Sequence, residues 1–271
     1  MPELPEVETT RRGIAPFLCG HRVVSVSVRE PRLRWPVPAT LARELPGHTI
    51  RTVARRAKFL ILESQAGHLI LHLGMSGSLR VVSGNVAPEK HDHLDVLMDD
   101  GRCLRLRDPR RFGAALWTTD DPLEHPLLKN LGPEPLDNEF NAEWLYQRSR
   151  GRRVAVKSFL MNSHIVAGVG NIYASESLFL AGIHPMRAAG RISLNRYRHL
   201  ALAVRKVLED AIAAGGTTLR DFFDSDGNPG YFSRKLLVYG REGEACSQCQ
   251  APIRSRIVAQ RSTYYCSDCQ R

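Results

Sequence analysis

Apolar residues recur with helical spacing at the start of this chain and again in its last third. Near the N-terminus, Val7, Ile14 and Leu18 lie on one face of a predicted helix. We expect Pro16 and Gly20 to end that helix. The later spacing predicts one long helix, with apolar positions at Leu194, Tyr197, Leu200, Val204, Val207, Leu208 and Ile212.

Between these helical regions the apolar period changes to two, which is typical of strands with one buried face. Val24, Val26 and Val28, for example, alternate with serines. The run Asp99–Arg102 reads Asp-Asp-Gly-Arg and predicts a hairpin turn. Because several strands follow one another without a long helix, we predict an antiparallel sandwich or barrel. The proline-rich stretch Trp117–Asp137 is interpreted as a linker to the helical part.

Charge narrows the classes of partner. The chain has 271 residues, with 38 Lys and Arg against 28 Asp and Glu, and a formal charge of +10. This excess indicates a polyanionic partner, and by itself fits DNA, RNA, a ribosome or an acidic membrane surface. No apolar run approaches the roughly 18 residues of a membrane helix, and the acidic N-terminus is unlike a secretory signal. We therefore expect a soluble, cytoplasmic protein.

Four of the six cysteines form two C-x2-C pairs separated by 16 residues. This spacing is typical of a zinc ribbon, and four thiolates would close a tetrahedral, structural site. Two disulfides are the alternative, which a reducing compartment disfavours. The predicted zinc ligands are Cys246, Cys249, Cys266 and Cys269.

Arginines and no acids lie between the two cysteine pairs, namely Arg254, Arg256 and Arg261. A ribbon with this composition suits binding to phosphates, although a solvated charged face would have the same composition.

Pro2 is a candidate nucleophile. Removal of Met1 would expose a secondary α-amine, and such amines have a pKa near ~8, so part of the population is neutral at pH 7. Addition of this amine to an aldehyde-level carbon gives an iminium, and the adjacent Glu3 is placed to transfer a proton. The residues alone fit a plain helix start at Pro2 and Pro5 better.

Several blocks, in order along the whole chain, resemble the bacterial formamidopyrimidine-DNA glycosylase family. They are Pro2–Glu8, Arg11–Gly13, His72–Gly77, Lys90–His93, Asp108–Gly113, Gly168–Glu176, Gly215–Thr218 and the four-cysteine tail. The resemblance implies an α+β fold, in which an N-terminal β-sandwich with a leading helix precedes a helical helix–two-turn–helix domain and a zinc ribbon. We predict domain limits of 1–131, 132–236 and 237–271.

The resemblance also implies an activity and its catalytic residues. Members of the family remove 8-oxoguanine and formamidopyrimidines from duplex DNA and then cleave the strand by β,δ-elimination. Pro2 resembles the nucleophile that attacks C1′ and forms a Schiff base, and Glu3 resembles the acid that protonates the sugar. Lys58, in a predicted basic strand, resembles the proton donor for β-elimination, and Arg261 the residue of δ-elimination. One structural Zn²⁺, no redox or nucleotide cofactor, and a monomer acting at the bacterial nucleoid are expected.

The same resemblance implies how damaged DNA is bound. Met75, Arg110 and Phe112 match a wedge that fills the space left by the displaced lesion. Arg110 also matches a phosphate contact. Further positions that match DNA contacts are His72, His91, Arg152, Asn171 and Tyr239. The loop from Thr217 to Gly230 resembles a lid over the displaced base.

Two positions depart from the family's usual residues. Ser158 replaces a common Pro and Asn162 a common Asp, while the role of the matching Lys157 stays open.

Two other functions compete with this one. An endonuclease VIII-like enzyme for oxidised pyrimidines would typically begin Pro-Glu-Gly-Pro, where this chain has Leu4. A zinc-ribbon nucleic-acid binder without catalysis would need neither a proline at position 2 nor Lys58.

Overall fold

The computed structural model describes residues 2–216 and 236–271, and the statements below concern these residues. They divide into two compact units. The first holds the chain up to Lys129 together with residues 214–216, and the second holds Asn130–Ala213 and the chain from residue 236 onwards. The predicted lid, 217–230, lies outside the described residues. None of the described helices is long and apolar enough to cross a membrane.

The first unit begins with helix α1, Leu4–Leu18, and later has the single turn α2, Leu41–Glu44. Helix α1 continues through Pro16 and ends at Leu18, between the two residues that were predicted to end it. Pro16 lies in the last turn, where the chain loses one amide donor and the helix ends two residues later. Gly20, with φ +86°, then turns the chain.

Eight strands of this unit form two four-stranded antiparallel sheets, with orders β1–β6–β7–β5 and β2–β3–β4–β8. Their bounds are β1 Val23–Val28, β2 Ile50–Arg56, β3 Phe59–Ser64, β4 His68–His72, β5 Ser78–Ser83, β6 Asp92–Met98, β7 Arg102–Arg107 and β8 Ala114–Thr118. One core takes Val96 from the first sheet, Leu62 and Leu71 from the second, and Ile14 from α1. The predicted β-sandwich with a leading helix is therefore confirmed.

The second unit is helical and ends in a ribbon. Its helices are α3 Ala142–Ser149, α4 Val156–Leu160, α5 Asn171–Leu180 and α6 Leu194–Ala213, and its strands are β9 Arg254–Val258 and β10 Arg261–Tyr265. Helix α6 is the predicted long helix. Strands β9 and β10 pair antiparallel between the two cysteine pairs. Strands and helices thus occupy separate parts of the chain, which confirms the α+β class.

Candidate active site and nucleic-acid interface

Two buried carboxylates lie beside Pro2. Pro2 immediately precedes α1 and is itself buried, and Glu3 and Glu6 are each 2% exposed. The Glu3 amide donates a hydrogen bond of 2.8 Å to Glu6 Oε2, which closes the first turn. Gly216 packs against Glu6, since a Cβ added to this glycine would lie 3.2 Å from Oε1. An N-terminal amine at residue 2 would therefore lie next to desolvated groups that can move protons.

Lys58 lies in a two-residue turn between β2 and β3. Arg56 pairs with Phe59 across the hairpin, so Ala57 and Lys58 form the connection. Ala57 has φ +53°, and this positive dihedral reverses the chain. The prediction of a strand at Lys58 was thus wrong, and the turn leaves its side chain partly exposed.

Glu8 connects α1 to this turn. Its carboxylate accepts two hydrogen bonds from Arg11, of 3.0 and 2.9 Å, and one of 2.8 Å from Arg12. Arg55 Nε also donates to it, at 3.2 Å, and Arg55 Nη1 donates to the Ala57 carbonyl at 3.1 Å. Arg55 thereby holds the residue before Lys58 while it contacts the helix that begins after Pro2.

The ionised form of Glu8 is strongly favoured. Burial alone would raise the pKa of Glu8, but the hydrogen bonds from Arg11 and Arg12 outweigh it. With the charges of Arg11 and Arg55, they lower the pKa from 4.5 to about 2. The resulting stabilisation is complete above pH 4.5 and is lost as the pH falls towards 2.

We expect Glu8→Gln to lower the free energy of unfolding by about 1–3 kcal/mol at pH 7, because three arginines lose their shared carboxylate. Urea unfolding at pH 7 and at pH 3 measures this, and the gap between wild type and variant should narrow at the lower pH. Glu124→Gln, at an exposed position of the same unit, is the matched control. An equal effect of both substitutions would contradict the role assigned to Glu8.

His72 is a neutral donor next to positive charge. Its Nδ1 accepts the Gly74 amide at 3.0 Å, so the proton is on Nε2. Its ring packs on Phe59, with centroids 4.8 Å apart. Burial, followed by the charges of Lys58 and Arg34, lowers the pKa of His72 to about 4. At neutral pH the ring therefore offers an uncharged N–H.

The three residues of the predicted wedge lie together. Met75 and Phe112 are 39% and 42% exposed, which is unusual for such large apolar side chains. The Arg110 guanidinium stacks on the Phe112 ring, 4.7 Å from its centroid. The segment that carries Met75 touches the segment that carries Arg110 and Phe112 through the backbone, since a Cβ on Gly74 would lie 2.4 Å from the Phe112 carbonyl carbon. An apolar surface with one stacked cation suits insertion into a base stack.

The backbone of His91 contacts the start of the segment that carries Arg110 and Phe112. It precedes β6 and has φ +79°, and its carbonyl accepts the Asp108 amide at 3.0 Å. The His91 ring is partly exposed, 6.2 Å from the ring of His93.

In the second unit, Asn171 and Tyr239 meet between α5 and the ribbon. Asn171 begins α5, and its Nδ2 donates to the Ser262 carbonyl at 3.1 Å and to the Tyr239 hydroxyl at 3.4 Å. The Tyr239 ring also packs edge-on against Tyr264, with centroids 5.0 Å apart. The Asn171 side chain thus holds the ribbon, while the start of α5 is a place where helices bind anions.

Lys157 and Glu176 contribute to this junction in ways that the sequence did not predict. Each side chain is 2% exposed. Lys157 Nζ donates to the Ser262 carbonyl at 3.0 Å and to Thr263 Oγ1 at 2.8 Å. The Glu176 carboxylate accepts the three amides of 237–239 at 2.8 to 3.0 Å. A lone lysine and a lone acid in otherwise uncharged helical segments were the available signal.

Arg261 and Arg152 are exposed on the second unit. Arg261 opens β10 directly after a two-residue turn, in which Ala259 and Gln260 have φ +47° and +61°. Two positive dihedrals are typical of the tight I′ hairpin turn. Arg152 follows α3 and its Nε donates to the Arg148 carbonyl at 2.8 Å. The two residues that depart from the family's usual ones, Ser158 and Asn162, do not disrupt α4. This helix begins at Val156, and after its end Asn162 Oδ1 accepts the His164 amide.

The four predicted zinc ligands converge. Their sulfur atoms all lie within 4.8 Å of one another. Cys246 and Cys269 sulfurs are 3.9 Å apart, and those of Cys249 and Cys266 are 3.4 Å apart. Zinc–sulfur bonds of about 2.3 Å place tetrahedral sulfurs about 3.8 Å apart. The four thiolates therefore fit one structural Zn²⁺, and their separations are longer than the roughly 2.05 Å of a disulfide bond.

Comparison with known proteins extends these observations to the whole chain. Residues 1–115 match the formamidopyrimidine-DNA glycosylase N-terminal domain, and residues 131–223 match the H2TH domain of the same glycosylase. Formamidopyrimidine-DNA glycosylases of Syntrophotalea carbinolica and Alkalilimnicola ehrlichii are 60% and 62% identical, and each alignment covers both chains completely.

Solved structures agree with the sequence matches. The MutM (Fpg) protein of Thermus thermophilus has a TM-score of 0.89 at 38% identity, covering 99% of this chain and 98% of that one. A variant of Lactococcus lactis Fpg, bound to Fapy-dG-containing DNA, has a TM-score of 0.92 at 36% identity with both chains fully covered. The chain belongs to the formamidopyrimidine-DNA glycosylase family.

Proposed function

We propose that this chain excises 8-oxoguanine and formamidopyrimidines from duplex DNA and then cleaves the strand at the abasic site. The observation that carries the proposal is Pro2 beside the buried carboxylates of Glu3 and Glu6, an arrangement that DNA binding alone does not require. The similar Lactococcus lactis proteins were solved with Fapy-dG DNA and with abasic-site DNA. We further propose that the substrate is chromosomal DNA and that the protein acts at the nucleoid.

Base release begins at the amine of residue 2. The nitrogen lone pair of Pro2 forms a bond to C1′, the glycosidic C–N bond breaks, and the base leaves with that electron pair and takes up a proton. The nitrogen of this adduct then loses its own proton, which leaves an uncharged amine with a free lone pair on C1′. Glu3 protonates the sugar ring oxygen while that lone pair breaks the bond between C1′ and the ring oxygen, which opens the ring and yields an iminium between Pro2 and C1′. Because Pro2 is a secondary amine, the iminium keeps its positive charge without further proton transfer.

Strand cleavage uses the iminium as an electron sink. Loss of a proton from C2′ supplies electrons that break the C3′–O bond, and the 3′ phosphate leaves with its electron pair. Lys58 is the proton donor for this step, and Arg261 serves the second elimination, in which the 5′ phosphate leaves. Arg55 positions the turn that carries Lys58, through the Ala57 carbonyl.

DNA is bound through its phosphates and through the gap left by the lesion. Met75, Arg110 and Phe112 fill that gap, and the energy of unstacking is offset by these contacts. The proposed phosphate contacts are His72, His91, Arg110, Arg152, Asn171 and Tyr239. The neutral Nε2–H of His72 suits this role, since it donates without a competing titration at pH 7.

A panel of lesions tests the proposed function. The protein is incubated with duplexes that contain 8-oxoguanine, a formamidopyrimidine or dihydrothymine, and the products are separated on denaturing gels. We expect the two oxidised purines to be cut faster, with phosphate left on both ends of the gap. Faster cutting of dihydrothymine would favour the endonuclease VIII-like alternative, and no cutting would favour a non-catalytic binder.

Arg261→Ala is expected to stop the reaction after the first elimination. General acid–base groups contribute about 10²–10⁴-fold, so we expect the δ-elimination rate to fall by about 100-fold while base release changes little. The ratio of β to β,δ product on an abasic-site duplex measures this. Arg254→Ala, an exposed arginine of the same ribbon, is the matched control and should keep the wild-type ratio. The same ratio in both variants would remove Arg261 from the second step.

A further inference from the structure

A fully buried carboxylate, that of Asp108, lies between the two loops of the proposed wedge. We call residues 73–77 and 108–113 the wedge loops, because they carry Met75 on one side and Arg110 with Phe112 on the other. Asp108 is 0% exposed, although Arg110 to Phe112, which follow it closely, are exposed. A buried carboxylate costs free energy unless its oxygens are well hydrogen-bonded.

Both oxygens of this carboxylate are used, and they reach both loops. Oδ1 accepts the Ser76 hydroxyl at 2.8 Å and the Arg110 amide at 3.3 Å. Oδ2 accepts the Gly113 amide at 2.7 Å. Ser76 follows Met75 directly, and Arg110 and Gly113 flank the exposed part of the other loop. One side chain thus fixes the backbone on either side of the wedge residues.

The backbone of Asp108 is held as firmly as its side chain. Its amide donates to the His91 carbonyl at 3.0 Å, and its carbonyl accepts the Arg111 amide at 3.1 Å. The buried His93 contacts the same carbonyl through Nε2 at 2.8 Å. The Asp108 backbone is therefore held in place within the β-sandwich, and its carboxylate connects the exposed wedge loops to it.

Packing in the hydrophobic core cannot hold the wedge loops in one conformation, because Met75 and Phe112 project outwards. Free loops would have to be ordered at the moment of DNA binding, which opposes association. We infer that Asp108 is the positioning residue that holds Met75, Arg110 and Phe112 as one preformed wedge. Displacement of the lesion and contact with its unpaired partner base then occur as a single event. This inference rests on the proposed role of the three wedge residues.

Asp108→Asn tests the inference, because it keeps the size of the side chain but replaces one acceptor oxygen by a donor NH2. We expect excision of 8-oxoguanine from a duplex to slow by about 10- to 100-fold, the scale of a lost charged hydrogen bond. Borohydride trapping on a single-stranded abasic oligonucleotide requires no base to be displaced, and should stay within about two-fold of wild type. Ser76→Ala, which removes one donor, should show the same selectivity with a smaller loss. Asp120→Asn, exposed in the same unit, should change neither rate.

A double-mutant cycle distinguishes positioning from an independent effect. If Asp108 acts through the wedge, adding Asp108→Asn to Phe112→Ala should cost far less than the product of the two single losses. Multiplicative losses, or equal loss of trapping and of duplex excision in both Asp108→Asn and Ser76→Ala, would overturn the inference. If Met75→Ala and Phe112→Ala leave duplex excision unchanged, the wedge assignment itself fails. Loss in those two with wild-type rates in Asp108→Asn would refute only the role of Asp108.

Discussion

Pro2→Leu is expected to abolish formation of a covalent adduct with 8-oxoguanine DNA under borohydride. A bulky residue at position 2 prevents removal of Met1, so no amine is left at residue 2. The trapped species should fall by more than about 10³-fold, because nucleophilic catalysis has no substitute group at the same place. Intact mass of the free protein checks that Met1 is kept in the variant and absent from the wild type.

Pro2→Ala separates the amine from the ring. Methionine is still removed before alanine, so a primary amine remains beside Glu3 and Glu6. Its Schiff base must hold a proton to act as an electron sink, whereas the iminium of proline is permanently charged. We expect trapping that is weaker than in the wild type by about 10- to 100-fold, yet well above that of Pro2→Leu.

The peptide that carries the adduct decides whether this chemistry is correct. Proteolysis and mass spectrometry of the trapped wild-type complex should place the sugar on the N-terminal peptide. An adduct on Lys58, or full trapping by Pro2→Leu, would contradict the mechanism. Lys58→Ala should still form the adduct but should release less cleaved strand, because its proposed role comes after the Schiff base.

The sequence predicted the fold where local pattern and tertiary structure agree. The two-residue period marked the strands of the sandwich, and the 3.6-residue period marked α6. Prediction was wrong at Lys58, where one residue decides the local geometry. Pro16 is tolerated in the last turn of α1, and a positive φ at Ala57 places Lys58 in a turn.

The sequence did not predict the polar contacts that position the proposed site. Asp108 and Ser76 are 32 positions apart, Glu176 is 61 to 63 from the amides it accepts, and Lys157 is 105 from Ser262. No short-range pattern encodes such pairs, because the fold alone brings them together. The resemblance predicts the wedge and the nucleophile by position, and the structure adds which groups contact the predicted residues.

Zinc is expected to be required for DNA affinity, and Cys249→Ser is the cleanest way to remove it. Cys249 is exposed, so its substitution removes a ligand without opening a cavity in the core. We expect the variant to lose bound zinc and to bind an abasic-site duplex at least about 100-fold more weakly. Structural zinc contributes about 10–16 kcal/mol to the folding of small zinc domains. Within the described part of the chain, the apolar cluster beside the cysteines has only Phe179, Val238 and Ile253 as buried members besides two of the cysteines themselves, so it cannot replace that contribution.

Loss of zinc would disturb the proposed DNA contacts through β10. Cys266 follows this strand directly, and Arg261 begins it. If the ribbon unfolds, Arg261 loses its fixed position, and Lys157 and Asn171 lose the Ser262 carbonyl to which both donate. Among the described residues, those that form the β-sandwich core include none from the ribbon, so the circular dichroism of the strands should survive.

Metal content, affinity and salt dependence together test this coupling. Cys19→Ser, an exposed cysteine outside the cluster, is the matched control and should keep zinc and binding. Because the ribbon carries three arginines and no acid between its cysteine pairs, the variant should also lose part of the steep fall of affinity with salt, by about one unit of slope for each lost phosphate contact. Wild-type affinity and slope in a zinc-free Cys249→Ser protein would show that the ribbon does not bind DNA.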